Sequence, residues 1–82
     1  MNLYIVYDKN YDWCCFAFDV SRNKAKLRVA EEFYCDYIDM RCKTIKKGLN
    51  ISSPFLVDHP DTEGYDIVKQ CGYEYEDEPS WI

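Results

Sequence analysis

Apolar side chains occupy both faces of the chain at its start. Leu3-Tyr4-Ile5-Val6-Tyr7 runs without a polar break to Asp8, the pattern of a strand buried on both sides at the centre of a sheet. Lys9-Asn10-Tyr11-Asp12 is turn chemistry, and Trp13-Cys14-Cys15-Phe16-Ala17-Phe18 resumes the apolar run, so the first twenty residues predict a β-hairpin. The period then changes. Ser21 predicts the N-cap of a helix running to about Cys35, because its hydroxyl can accept from a free amide of the first turn. Ala25, Val29, Ala30 and Phe33 recur at helical spacing, with Leu27 and Tyr34 widening the stripe. Arg22, Lys24, Lys26, Arg28, Glu31 and Glu32 fall on the opposite side.

Alternation returns beyond the helix. Ile38, Met40 and Cys42 share one face and Asp39, Arg41 and Lys43 the other, which predicts a half-buried strand ended by Lys46-Lys47-Gly48. Asn50-Ile51-Ser52-Ser53-Pro54 and Asp58-His59-Pro60-Asp61 read as loops. Asp61 or Thr62 predicts the cap of a short helix to about Cys71, with Tyr65, Ile67 and Val68 as its apolar side. Gly72 stands where a helix commonly ends in the left-handed conformation.

The elements run β-β-α-β, short α, tail. A right-handed crossover lays the third strand beside the first. The expected fold is therefore α+β: a three-stranded, mainly antiparallel sheet in the order 2-1-3, with the long helix on one face. Phe55, Leu56, Val57 and the short helix are expected to cover the other face. Residues 1–72 form one domain, and 73–82 an acidic tail bearing Tyr and Trp. The sheet's open edge favours a homodimer.

Composition narrows the class. A chain of 82 residues has room for one core, and 48% hydrophobic with 17% aromatic residues excludes global disorder. No run approaches the roughly 18–20 apolar residues of a membrane span, and the start lacks a basic leader region, so the expected compartment is the cytoplasm. The five cysteines, at 14, 15, 35, 42 and 71, are odd in number and irregular in spacing, as expected of reduced core residues rather than a disulfide framework.

Charge is unevenly spread. Residues 1–20 set one lysine against three aspartates, residues 21–49 eight bases against four acids, and residues 50–82 one lysine against eight acids. A net charge of −5 lacks the dominant basic footprint of a general nucleic-acid binder, although the middle third can form a local patch. On the helix the bases lie at the positive end and Glu31 and Glu32 near the negative end, which opposes the macrodipole. The acidic C-terminal third folding against the bases, or a bound partner, would compensate.

Candidate chemistry is sparse. His59, between Asp58 and Asp61, has the flanking carboxylates of a general base or a metal ligand, but no nucleophile motif accompanies it and turn chemistry accounts for the same residues. Cys35, Cys42 and Cys71 with His59 are the best zinc set, yet they lack the close C-x₂₋₄-C pair that presents two ligands on one turn. Cys14 and Cys15, adjacent on a strand, point to opposite faces. Core packing explains the cysteines better, and no metal or cofactor is expected. Gly48, Gly64 and Gly72 are too dispersed for a phosphate-binding loop.

In Tyr73-Glu74-Tyr75-Glu76-Asp77-Glu78, with Trp81 beyond, carboxylates are spaced as phosphate mimics and aromatic rings as interface anchors. The resulting reading is a non-enzymatic binding module that blocks a macromolecule, with Glu74, Tyr75, Glu76, Asp77, Glu78 and Trp81 as partner-binding residues. The alternative is a nucleic-acid-binding accessory protein using Arg22, Lys24, Lys26, Arg28, Arg41, Lys43, Lys46 and Lys47. A small zinc or redox protein using His59 and the cysteines stands third.

Met1-Asn2-Leu3-Tyr4-Ile5-Val6-Tyr7, Ser21-Arg22-Asn23-Lys24-Ala25-Lys26, Tyr37-Ile38-Asp39-Met40-Arg41-Cys42-Lys43 and Gly72-Tyr73-Glu74 resemble small uncharacterised proteins of phages and prophages. The resemblance implies a phage accessory protein that contacts a host protein, a class that includes inhibitors of host defence such as anti-CRISPR proteins. It carries no catalytic signature and transfers no functional residue.

Overall fold

The computed structural model describes residues 1–73. Strands β1 (Asn2–Asp8) and β2 (Cys14–Asp19) form the hairpin, followed by helix α1 (Arg22–Phe33), a 3-10 turn (Tyr37–Asp39) and strand β3 (Met40–Lys46). Strand β4 (Phe55–Val57) and helix α2 (Tyr65–Gln70) complete the α+β fold. The sheet is antiparallel and four-stranded, in the order β3-β1-β2-β4. The order of the first three strands is the one the pattern predicts. The fourth strand is a correction: Phe55-Leu56-Val57 pairs with β2 through Phe16↔Val57, Ala17↔Leu56 and Phe18↔Phe55. That pairing satisfies amides and carbonyls along an edge of β2 that would otherwise lie open.

β1 divides the interior. Tyr4 and Val6 face a cluster with Cys15, Ala17, Met40 and the α1 residues Ala25, Val29 and Ala30. Leu3 faces the opposite cluster with Phe16, Phe18, Val57 and Val68 of α2, against which Ile5, Phe55, Tyr65 and Tyr73 pack. The sheet is therefore sandwiched between α1 on one side and α2 with its flanking loops on the other.

Ser21 caps α1 as predicted, its hydroxyl accepting the Lys24 amide at 3.2 Å. The helix ends earlier than Cys35 because Tyr34 turns left-handed (φ 56), and the amides of Tyr34 and Cys35 both donate to the Ala30 carbonyl. The buried stripe narrows to Ala25, Val29 and Ala30, while Leu27, Phe33 and Tyr34 face solvent. Ile38 is likewise not a strand residue. It lies in the 3-10 turn and is 80% exposed.

At α2 the predicted cap also shifts. Gly64 occupies the cap position with φ 92, and neither Asp61 nor Thr62 offers a side-chain cap. A Cβ at Gly64 would lie 2.8 Å from the Phe55 ring, which stacks on Phe18 at 4.7 Å between centroids. Backbone must approach ring there, and only glycine permits it. Gly72 ends the helix left-handed (φ 91), with the Tyr73 amide donating to the Val68 carbonyl at 3.2 Å. Among the described residues, no helix is long and apolar enough to cross a membrane.

These two glycines separate conformational from steric cost. Gly72→Ala, in open space, should lower stability by about 1 kcal/mol through its positive φ alone. Gly64→Ala adds an overpacked ring and should cost about 2–4 kcal/mol. Urea unfolding of both variants measures the difference, and equal losses would mean that Phe55 moves aside freely.

Candidate functional site

The partner-binding residues expected in the tail, Glu74, Tyr75, Glu76, Asp77, Glu78 and Trp81, lie outside the described residues. Tyr73, which the sequence pattern groups with them, does not. Tyr73, the last described residue, packs edge-on against Phe16 at 5.9 Å between centroids and belongs to the second cluster. The same third of the chain also carries Asp58, Asp61, Glu63 and Asp66, all exposed. Asp61 lies 3.6 Å from His59 and Asp58 accepts the Thr62 hydroxyl at 3.3 Å, but none of the four pairs with a lysine or arginine among the described residues.

The eight bases divide between two faces. Arg22, Lys24, Lys26 and Arg28 ride on α1, against the first cluster. Arg41 and Lys43 pair with Tyr7 and Ile5, which places them on the face that α2 covers. The sheet therefore separates these two from the helical group, and Lys46 and Lys47 stand exposed where β3 ends. Several of the bases are engaged internally. Arg28 Nε donates to Asp19 Oδ2 at 2.9 Å, Lys26 Nζ stands 4.3 Å from the centre of the Tyr37 ring, and Arg41 Nη1 donates to the carbonyls of Ile38 and Met40.

Asp19 is 1% exposed and also accepts the Val20 amide at 2.8 Å. Compensation for the basic helix thus comes in part from the last residue of β2, just ahead of the cap. The first turn of α1 nevertheless holds no acid and the last turn no base.

His59 is exposed, and its Nδ1 accepts the Asp61 amide at 3.2 Å. The proposed zinc set does not converge: Cys35 and Cys42 pack against the first cluster, Cys71 against the second, and His59 stands in the loop after β4. Burial pushes the Cys14 thiol up to about 12. Cys15 is likewise pushed up to about 12, chiefly by burial and further by the negative charges of Asp58 and Glu32. Cys42 rises to about 11 through burial, opposed by Arg22 and Lys26. Such thiols are poor nucleophiles near neutral pH.

The described chain holds two crevices of note. One, of about 460 Å³, lies between Asn50, Ile51, Ser52 and Ser53 and the start of α2, with Glu63 and Asp66 on its wall. The other, of about 330 Å³, lies where β2 begins and α1 ends, lined by Trp13, Cys14, Cys15, Phe33, Cys35 and Asp58. The sequence pattern assigns Trp13 to a strand and Phe33 to the core. Trp13 is partly buried against the first cluster, whereas Phe33 is exposed, and the signal for that exposure is the acidic pair Glu31-Glu32 directly before two aromatic residues at a helix end.

Raised thiol pKa values make stability fall in alkali. The folded Cys15 holds its proton to about 12 against 9.0 for the free thiol, so the unfolded chain releases it first and ionisation favours unfolding. The contribution is intact below pH 9 and is lost progressively as pH rises toward 12, at about 1.4 kcal/mol per pH unit for this thiol. Urea midpoints at pH 8 and pH 10 should therefore differ, and Cys15→Ala should make the dependence shallower while Cys14 and Cys42 keep their share. An unchanged slope in that variant would remove Cys15 as the cause.

No protein-family model, no curated protein and no solved structure matches the chain, so the functional argument is carried by its own residues.

Proposed function

We propose that the chain is a non-catalytic binding module that blocks or sequesters a host macromolecule through the acidic surface of its C-terminal third. One observation carries the reading. Asp19 and Asp39 serve the fold, holding Arg28 and, at 3.0 Å, Lys9, whereas Asp58, Glu63 and Asp66 stand exposed without a base among the described residues, in a third of the chain that sets eight acids against one lysine. Their charge is left for something outside the domain. The four further acids of residues 74–78 extend the same charge along the chain. A surface of this kind suits a basic macromolecular partner, because complementary potentials speed encounter and fix register.

The protonated thiols and the exposed, loop-borne His59 supply no activated nucleophile, which supports contact over catalysis. A host partner, with inhibition of a defence protein as the form such blocking takes, is what the sequence's resemblance to phage proteins implies. The division of the bases over two faces of the sheet weighs against a single nucleic-acid track.

The test is an affinity pull-down of the tagged chain from bacterial lysate, with and without nuclease, read by mass spectrometry. A protein partner should survive nuclease. It should also fall at least about tenfold when Glu74, Glu76, Asp77 and Glu78 are all replaced by lysine, with circular dichroism unchanged. Undiminished capture by that variant overturns the proposal. Recovery of nucleic acid, or of proteins only through it, transfers the function to Arg22, Lys24, Lys26, Arg28, Arg41, Lys43, Lys46 and Lys47.

A further inference from the structure

One end of the molecule gathers exposed aromatic and apolar side chains beside acids that hold no base among the described residues. β1 reaches it at Asp8, which pairs with Met40, and the hairpin turn is tied to the 3-10 turn by the Lys9 amide donating to the Asp39 carbonyl at 2.9 Å. α1 also finishes there, since its end feeds that turn. Of the six large apolar side chains most exposed among the described residues, Tyr11, Phe33, Tyr34 and Ile38 lie at this end.

Tyr34 is 95% exposed at φ 56 and Tyr11 is 55% exposed at φ 60. The left-handed backbone closes α1 at Tyr34 and the hairpin turn at Tyr11, whose ring stacks on Tyr7 at 5.4 Å between centroids, and it leaves both tyrosines at this end.

The crevice of about 330 Å³ opens at this end, with Trp13 and Phe33 as walls and Asp58 at its rim. Glu32 and Asp58 also line an adjoining depression together with Arg28, whose guanidinium is turned to the buried Asp19, so the two carboxylates stand to one side of the opening. Asp12, Glu31 and Asp36 are exposed nearby, while the neighbouring bases Lys9 and Arg28 are already held by Asp39 and Asp19. The negative end of the α1 macrodipole adds to these charges instead of opposing them. A helix charged against its dipole loses a little stability and gains a focused negative field at one end.

We propose that this crevice receives the apolar side chain of a basic protein segment, whose adjoining lysine or arginine pairs with Glu32 and Asp58. Apolar walls beneath a rim of like charge fit an anchor residue next to a cation, the usual division between a desolvated centre and a polar border. The chain's own residues 74–82 contain Trp81 but carry four acids, which the rim repels. This site is separate from the acidic third of the chain except for Asp58, and it stands or falls without the tail.

The probe is an end-blocked synthetic hexapeptide, Lys-Arg-Leu-Phe-Arg-Lys, titrated into the ¹⁵N-labelled full chain and followed by amide chemical shifts. Shifts should concentrate at residues 13–15, 32–35 and 58. Replacing Leu-Phe in the peptide by Ala-Ala should weaken binding at least about tenfold. The double variant Glu32→Lys/Asp58→Lys, both exposed positions, should weaken it about tenfold or more, and Phe33→Ala should weaken it with the charge intact. Replacing Glu74, Glu76, Asp77 and Glu78 by lysine should leave the titration unchanged, which separates this proposal from the tail reading.

Equal binding of the Ala-Ala peptide overturns the proposal by reducing it to bulk charge. So do shifts that avoid the crevice, or crevice shifts that follow chain concentration without peptide, which would make a second copy the occupant. Perturbation of the same residues by the tail substitutions alone would make residues 74–82 the occupant and equally overturn it.

Discussion

Burial of β1 on both faces is the constraint on which the rest of the structure depends. A strand with Tyr4 and Val6 on one side and Leu3 and Ile5 on the other exposes apolar surface whichever way it turns. It needs a partner strand at each edge and a cover on each face. β2 and β3 supply the edges, α1 one cover, and α2 with its flanking loops the other. In a chain of 82 residues almost nothing is left over, so each short element has a structural obligation. β4, only three residues long, completes the pairing of β2 and carries Val57 into the second cluster.

What the sequence revealed follows from how local each determinant is. The continuous apolar run at residues 3–7, the hydroxyl of Ser21 one residue before a helical period, and Gly72 after the last turn of α2 act over a few neighbouring residues and were legible. β4 was not, because its pairing partner lies some forty residues away and no period can be read in three residues. The exposure of Phe33 and Tyr34 was hidden for a related reason. Spacing continues the helical stripe through both, whereas the helix is stopped by the left-handed turn at Tyr34. Gly64 was passed over as a cap because its role is set by the Phe55 ring and not by its own neighbours.

The candidate sites divide in the same way. The acidic character of the C-terminal third is a matter of composition and needs no structure to see. The crevice at the end of α1 draws Trp13, Phe33, Cys35 and Asp58 from separate parts of the chain and has no spacing that betrays it. The unfavourable charge order of α1 was visible, but its meaning depends on where the helix points. Only the fold shows that Glu32 ends beside an apolar opening with Asp58 on its rim.

β3 is the outer strand of the sheet, and it presents Arg41, Lys43 and Lys46 to solvent along its length, with an irregular register against β1 near Leu3 and Tyr4. A second β3 laid against it would bring like charges together on a bent ladder. The far edge, β4, is too short to template a strand of ordinary length. Among the described residues, a chain nearly half hydrophobic is thus guarded against stacking into fibrils at both edges of its sheet. Neighbouring copies at high concentration would therefore meet through faces and loops of the described residues rather than through strand edges.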